Sequence, residues 1–229
     1  MKKLSIPMTK AELILGWIYF ALQLLVLPSA LVIVNLFLGQ PLSMATLNMI
    51  LYCLNFLCVT VIFRKFLWHS LRLSMEAPFR CLRFAFIGLV LYFLASTLIS
   101  IFVVAVRPDF ANINDQTIMD MVMENYTPMA VCTVFLVPVV EESFFRGLIF
   151  RGFYNKSRVL AYCVSTLAFA AIHVIPYLGT YDLGLLGLCL LQYLPAGLFL
   201  GWAYAKADSI FAPILMHITI NQIAMSAMR

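Results

Sequence analysis

Long apolar runs separated by short polar segments form the dominant pattern of this chain. A helix needs about 20 apolar residues to cross a hydrocarbon layer roughly 30 Å thick. The first run is long and contains Pro28, which predicts a kink, a tilt or a re-entrant portion. The pattern as a whole predicts an all-α, polytopic helical membrane bundle of seven spans, with bounds near 12–38, 43–63, 84–106, 129–150, 159–179, 184–205 and 209–228.

The composition supports the same class of protein. Of the 229 residues, 64% are hydrophobic and 11% are charged, whereas charged residues make up about 25% of soluble domains. The sequence contains no internal repeat, low-complexity tract or long linker, so we expect a single membrane domain, 1–229. The six cysteines are scattered and form no C-x-x-C pair, which favours free thiols over a zinc cluster or a disulfide framework.

The distribution of Lys and Arg predicts the orientation in the membrane. All but two of the 15 basic residues fall on one predicted side, and the exceptions are Arg107 and Arg229. We therefore expect a cytoplasmic N-terminus, and an external location for the C-terminus and for the acidic loop 107–128. Lys2 and Lys3 precede an apolar run that is longer than the roughly 7 to 15 residues of a signal peptide core, so we expect a retained span. The basic loops are typical of lipid anchoring rather than of nucleic-acid binding.

Two adjacent acidic residues, Glu141 and Glu142, lie within an apolar run that also contains Arg146. An ionisable side chain at membrane depth is costly unless it faces protein, a partner or water, and it therefore indicates a functional site. Glu142 and Arg146 are four residues apart with the acid first, which favours an ion pair along the helix. Glu141 points about 100° away on the helical wheel and would stay available. Pro138 removes a backbone hydrogen bond and can open the helix beside the acids.

Later apolar runs contain three more polar residues of a reactive kind: His173, His217 and Asn221. His217 and Asn221 are four residues apart, so they share a helix face. At about 1.5 Å per residue, Glu141, His173, His217 and Asn221 lie roughly 15, 20, 12 and 18 Å from the inner ends of their spans. This common depth predicts that the four side chains line one cavity, which we expect to be reachable from the cytoplasmic side.

The motifs E-E-x-x-x-R at 141–146, F-x-x-x-H at 169–173 and H-x-x-x-N at 217–221 together resemble those of the CPBP intramembrane proteases. That family groups type II CAAX prenyl endopeptidases with bacteriocin-processing, bacteriocin-immunity and abortive-infection-like membrane proteins. The resemblance implies a CPBP-like four-helix catalytic core at 128–229, preceded by variable spans at 1–127.

The resemblance also implies a mechanism in which an activated water hydrolyses a peptide bond. Glu141 would act as general base, and His173 would hold the same water. His217 and Asn221 would donate hydrogen bonds to the oxyanion. The Glu142–Arg146 pair, on the first helix of the catalytic core, would play a supporting role. No Ser or Cys has the context of an activated nucleophile, so we expect a glutamate-dependent endopeptidase that needs no metal or other cofactor.

Helix packing and substrate can be predicted in the same way. Gly197 and Gly201 form a G-x-x-x-G element that permits close helix contact. A short chain with few loops is typical of a bacterial cell-membrane protein, and bacteria generally lack CAAX prenylation. We therefore expect the partners to be the lipid bilayer and a peptide or membrane-protein substrate.

Three other functions compete with this interpretation. A metalloprotease could use Glu and His as zinc ligands, although the H-E-x-x-H motif is absent from the sequence. A bacteriocin-immunity or regulatory protein could keep the scaffold and bind a peptide without cleaving it. A transporter with a proton-relay carboxylate would be expected to contain internal repeats, which the sequence lacks.

Overall fold

A computed structural model describes residues 4–227, and it folds them into a bundle of helices joined by short connections. Lys2, Lys3 and Arg229, whose charges contributed to the predicted orientation, lie outside the described residues. Residue 228, the end of the predicted last span, also lies outside them. In chain order the helices are α1 (Lys10–Leu25), α2 (Leu27–Leu36), α3 (Met44–Ile62), α4 (Arg64–Glu76), α5 (Pro78–Val106), α6 (Ile113–Glu124), α7 (Tyr126–Tyr154), α8 (Arg158–Ile172), α9 (Leu183–Ala207) and α10 (Phe211–Ala227).

The all-α membrane fold is confirmed, but the count of seven spans is not. Within the described chain, the four helices α3, α5, α7 and α9 are long and apolar enough to cross a membrane. A fifth candidate is the pair α1 and α2, which is bent by 46°. The predicted spans near 159–179 and 209–228 correspond to shorter apolar helices, α8 with 15 residues and α10 with 17.

The predicted irregularity of the first span is present. Helix α1 ends at Leu25, and Pro28 lies in the first turn of α2. Proline suits that position because its missing N–H would lack a partner in the first turn of any helix. The break therefore costs little and allows the chain to change direction inside one apolar run.

Helix α7, which contains the two adjacent glutamates, is irregular on both sides of them. A short α-helical segment, Val137–Glu142, separates two π-helical stretches, Cys132–Leu136 and Ser143–Phe150. Pro138 cannot donate a backbone hydrogen bond, which agrees with the opening that was predicted near it. Such π-helical turns are rare and frequently occur at functional sites.

Glycines allow α9 to approach α7 and α8 closely. A Cβ atom added to Gly197 would lie 2.9 Å from the Thr166 Cα atom of α8. One added to Gly201 would lie 3.1 Å from the Phe150 ring of α7. The close contact predicted from the G-x-x-x-G spacing is therefore observed.

A buried acid near the N-terminus has a purely structural role. Glu12 is 4% exposed, and its Oε2 atom accepts hydrogen bonds from the Thr9 backbone N–H and hydroxyl, both at 2.8 Å. Its Oε1 atom accepts from the Phe66 backbone N–H at 2.8 Å. Glu12 thus caps α1 and also satisfies an N–H in the first turn of α4, where a helix has no internal acceptors.

Candidate active site

The second glutamate of α7 is the centre of a sealed ionic cluster. The side chains of Glu142 and Arg146 are both fully buried, and Arg146 Nη1 lies 3.1 Å from Glu142 Oε1. This is the ion pair predicted from the spacing. The same Oε1 atom lies 2.9 Å from Nδ1 of His217, which belongs to α10. One carboxylate oxygen therefore joins two helices.

The Arg146 guanidinium is held from three directions. Besides Glu142, its Nη2 atom donates to the carbonyl of Gly197 at 3.1 Å, and the Ala196 carbonyl lies at 3.4 Å. The Phe169 ring centre lies 4.6 Å from its central carbon. A buried charge is tolerated only with such partners, so the cluster ties α7 to α8 and α9 as well as to α10.

The hydrogen bonds of the two histidines define which ring nitrogen is left for chemistry. His217 Nδ1 faces the Glu142 carboxylate, and His173 Nδ1 lies 2.8 Å from the Phe169 carbonyl. Both partners are acceptors, so we assign the proton to Nδ1 in each ring. Each neutral ring then has an unprotonated Nε2. The spacing of four residues between Phe169 and His173 places the His173 ring beside the Phe169 carbonyl.

The first glutamate has a different environment. The Glu141 side chain is 16% exposed, and its Oε2 atom is buried with no hydrogen-bond partner among the residues described. That atom lies 3.9 Å from His217 Nε2, which is too far for a direct hydrogen bond. Glu141 and the available nitrogen of His217 thus face each other across a short gap.

The predicted residues are divided between two cavities. His173, His217 and Asn221 line a cavity of about 280 Å³, and Asn221 Nδ2 also donates to the Thr133 carbonyl at 2.9 Å. Glu141 instead lines a second cavity of about 220 Å³. The expectation of one shared cavity is therefore met by three of the four residues, with His217 close to both.

The first cavity brings two of our expectations into conflict, namely the approach from the cytoplasmic side and the external location of loop 107–128. The first cavity is lined by Asn112 and Asp115, which lie in the acidic segment that was predicted to be external. The physical reason is the length of α8, which ends at Ile172, so that His173 caps the helix instead of lying inside a longer span. Pro176 was the available signal, because helices usually end before a proline.

The polar lining of the first cavity includes residues that the sequence analysis missed. Tyr193 stacks on His173, with ring centres 4.2 Å apart and an angle of 22°, and its hydroxyl donates to Asp115 at 2.8 Å. Asn112 donates to Gln192 at 2.9 Å. Asp115 as a whole residue is exposed, but its carboxyl group is partly desolvated, which raises its pKa. The hydrogen bond from Tyr193 opposes that shift. Gln192 and Tyr193 are adjacent polar residues within an apolar helix, and this pattern could have predicted the polar lining of the cavity.

The arrangement of acidic and histidine side chains also bears on the zinc alternative. Within residues 4–227, no group of three His, Cys, Asp or Glu side chains has a geometry that could hold a metal ion. Glu141, His173 and His217 would have to move to become a ligand set.

Comparison with known proteins gives a family match for part of the chain. Residues 123–223 match the family model described as "Type II CAAX prenyl endopeptidase Rce1-like". The matched segment includes all four predicted catalytic residues and the Glu142–Arg146 pair, and it leaves α1 to α5 outside. No curated protein matches the chain, and neither does any solved structure.

Proposed function

We propose, from the match of residues 123–223 to the type II CAAX prenyl endopeptidase-like family model, that this membrane protein hydrolyses a peptide bond by means of a glutamate-activated water. The observation that carries this proposal is the gap between Glu141 and His217. Oε2 of Glu141 has no hydrogen-bond partner among the described residues, and it lies 3.9 Å from Nε2 of His217. A carboxylate in that setting is suited to accept a proton.

The distance across the gap matches one bridging water, and side chains around the gap would have to move to admit it because Oε2 of Glu141 is buried. Two acceptors 3.9 Å apart can both be reached by a water that lies about 2.8 Å from each. The water would donate one hydrogen to Glu141 Oε2 and the other to His217 Nε2. His217 would thus take the water-binding role that was expected of His173. Its lone pairs would then be directed away from both groups, where a peptide carbonyl could approach.

In the reaction, the water oxygen forms a bond to the carbonyl carbon while Glu141 takes the proton. The carbonyl oxygen becomes an oxyanion, for which the amide N–H of Asn221 is a suitable donor. His217, from which an oxyanion donor was also expected, has no proton on Nε2 in the assigned tautomer. The C–N bond then breaks, and Glu141 returns its proton to the leaving amine. The products are a carboxylate and an amine, so neither an oxidant nor a covalent enzyme intermediate is required.

The sealed cluster would serve this chemistry indirectly. Glu142 accepts the Nδ1 proton of His217 and so keeps Nε2 directed toward Glu141. Arg146 forms an ion pair with Glu142 and holds its carboxylate in place. We propose that Glu142 and Arg146 are positioning residues, and that the substrate is a peptide or membrane protein within the bilayer.

The test compares purified wild-type protein with Glu141→Gln in detergent, using a peptide mixture from a digested proteome and mass spectrometry of the new termini. We expect wild-type cleavage to fall by at least about 10²-fold in Glu141→Gln, with an unchanged unfolding temperature. The matched control is Glu124→Gln, an acid at the end of α6 and outside the site. Equal cleavage by wild type and Glu141→Gln would disprove the general-base role. Absence of wild-type cleavage, together with binding of peptides, would favour the immunity or regulatory alternative.

A further inference from the structure

The second cavity is built in part by helices that the family match does not cover. Its volume is about 220 Å³. Gln23 and Leu24 of α1 and Leu51, Tyr52 and Asn55 of α3 line one part of it, and the remaining lining comes from α7 and α8. The variable N-terminal region thus reaches the group that we propose as the general base.

The N-terminal wall is fixed by specific contacts. The Tyr19 hydroxyl donates to Asn55 Oδ1 at 2.8 Å, which links α1 to α3. Phe20 of α1 packs on two rings of α7, with centres 5.0 Å from Phe144 and 5.9 Å from Phe145. Because these contacts hold α1 and α3 in place, the cavity has a defined size.

The chemistry of the lining indicates what the cavity can accept. Most of the lining is apolar, and among the described residues Glu141 is the one formally charged member. The apolar members are Leu24, Leu51, Val137, Val140, Phe144, Phe145 and Ile172. A charged group would lose its hydration here without gaining a fixed partner other than the base itself. The volume lies below the roughly 300 to 1,000 Å³ of pockets for whole small molecules, so the fit is to a single side chain.

We infer that this cavity is a specificity subsite, formed by α1 and α3 against α7, which takes one uncharged apolar side chain of the peptide substrate. The inference rests on the proposed function, because Glu141 in the cavity wall places the accepted side chain next to the bond that is cleaved. In this arrangement the first cavity, with its amides and hydroxyls, receives the more polar part of the chain.

Leu51 is the residue to change, because it lines the cavity, is only partly buried and has no role in the proposed reaction. Leu51→Trp fills the cavity and Leu51→Ala enlarges it. The matched control is Leu57→Trp on the same helix, where the side chain is 61% exposed. Each variant is incubated with the peptide mixture, and the residues flanking the cleaved bonds are counted.

We expect wild type to favour medium-sized aliphatic residues at one flanking position. In Leu51→Trp the ratio of Leu to Ala at that position should fall by about tenfold or more, as in other apolar pockets that discriminate by size. In Leu51→Ala the preference should move toward Phe, and Leu57→Trp should match wild type. Leu51 variants that cleave with an unchanged profile would overturn the subsite while leaving the protease proposal intact. A wild-type protein that cleaves nothing, or an active Glu141→Gln variant, would overturn both.

Discussion

The adjacent residues Glu141 and Glu142 of α7 have the same side chain but different surroundings. Glu142 lies in a sealed region, where its Oε1 atom contacts Arg146 and His217. Glu141 lies in a region beside a cavity, where its Oε2 atom has no partner among the residues described. Burial alone does not distinguish a structural acid from a reactive one. Oε2 of Glu142 is likewise buried without a hydrogen-bond partner among the described residues, so the two acids differ in the fixed partners that Arg146 and His217 provide at Glu142 Oε1. Glu12 has hydrogen bonds at both of its oxygens.

The largest effect is expected from breaking the sealed region. Arg146→Gln should destabilise the protein by about 3 to 5 kcal/mol, because it leaves the Glu142 charge buried without its main partner. The double variant Glu142→Gln with Arg146→Gln should be milder than the sum of the two single changes. Thermal unfolding in detergent measures both effects, and Glu141→Gln is the control whose unfolding should be unchanged. Additive losses would contradict a coupled pair.

A smaller effect, on rate instead of stability, is expected on the cavity side. Asn221→Ala should lower kcat by about 10²- to 10³-fold, the usual effect of removing one oxyanion donor. Gln222→Ala is the matched control, since Gln222 is exposed on the same helix and its side chain donates to the Ser226 hydroxyl, away from the site. Turnover assays on a cleaved peptide compare the two, and equal rates would remove Asn221 from the reaction.

The packing of α9 next to the Glu142–Arg146 pair can be tested with two glycines of α9. Gly197→Ala should cost about 1 to 3 kcal/mol, because the new Cβ would lie 2.9 Å from Thr166 Cα and would disturb the carbonyl that binds Arg146. Gly187→Ala has open space around its Cβ and should stabilise the helix by about 0.5 to 1 kcal/mol. Unfolding temperatures should therefore move in opposite directions. A common direction would show that helix propensity, and not packing, dominates.

The smallest expected effect concerns metal. Cleavage by the purified protein should be unaffected by a chelator such as 1,10-phenanthroline, and its zinc content should be well below one ion per chain. A stoichiometric content with chelator-sensitive cleavage would instead make Glu141 and His217 candidate ligands, and would change the meaning of the gap between them.

Local rules predicted part of the molecule. The break near Pro28, the Glu142–Arg146 pair and the close contact at Gly197 all depend on residues within a few positions of each other or on backbone chemistry. Periodicity could not predict the contact between Glu142 and His217, because it joins positions 75 residues apart. The resulting link determines which nitrogen of His217 is available.

The length of α8 shows why the position of the site was only partly predicted. Apolar composition continues past Ile172, so hydropathy extended the span to 179, whereas the helix ends before Pro176. His173 therefore lies at a helix end next to the acidic segment. Hydropathy measures how apolar a segment is, but a change of backbone conformation inside an apolar run leaves that measure unaltered.

The shortness of α8 and α10 has a consequence for the surrounding lipid. At about 1.5 Å per residue, their 15 and 17 residues reach roughly 22 and 26 Å, less than the roughly 30 Å of a typical hydrocarbon layer. Such a hydrophobic mismatch is relieved when the bilayer thins around the protein. Lipids with shorter acyl chains should then relax the deformation beside His173 and His217, and proteoliposomes made from them should cleave faster than those made from long-chain lipids. Membrane thickness would in this way act as a control on the enzyme.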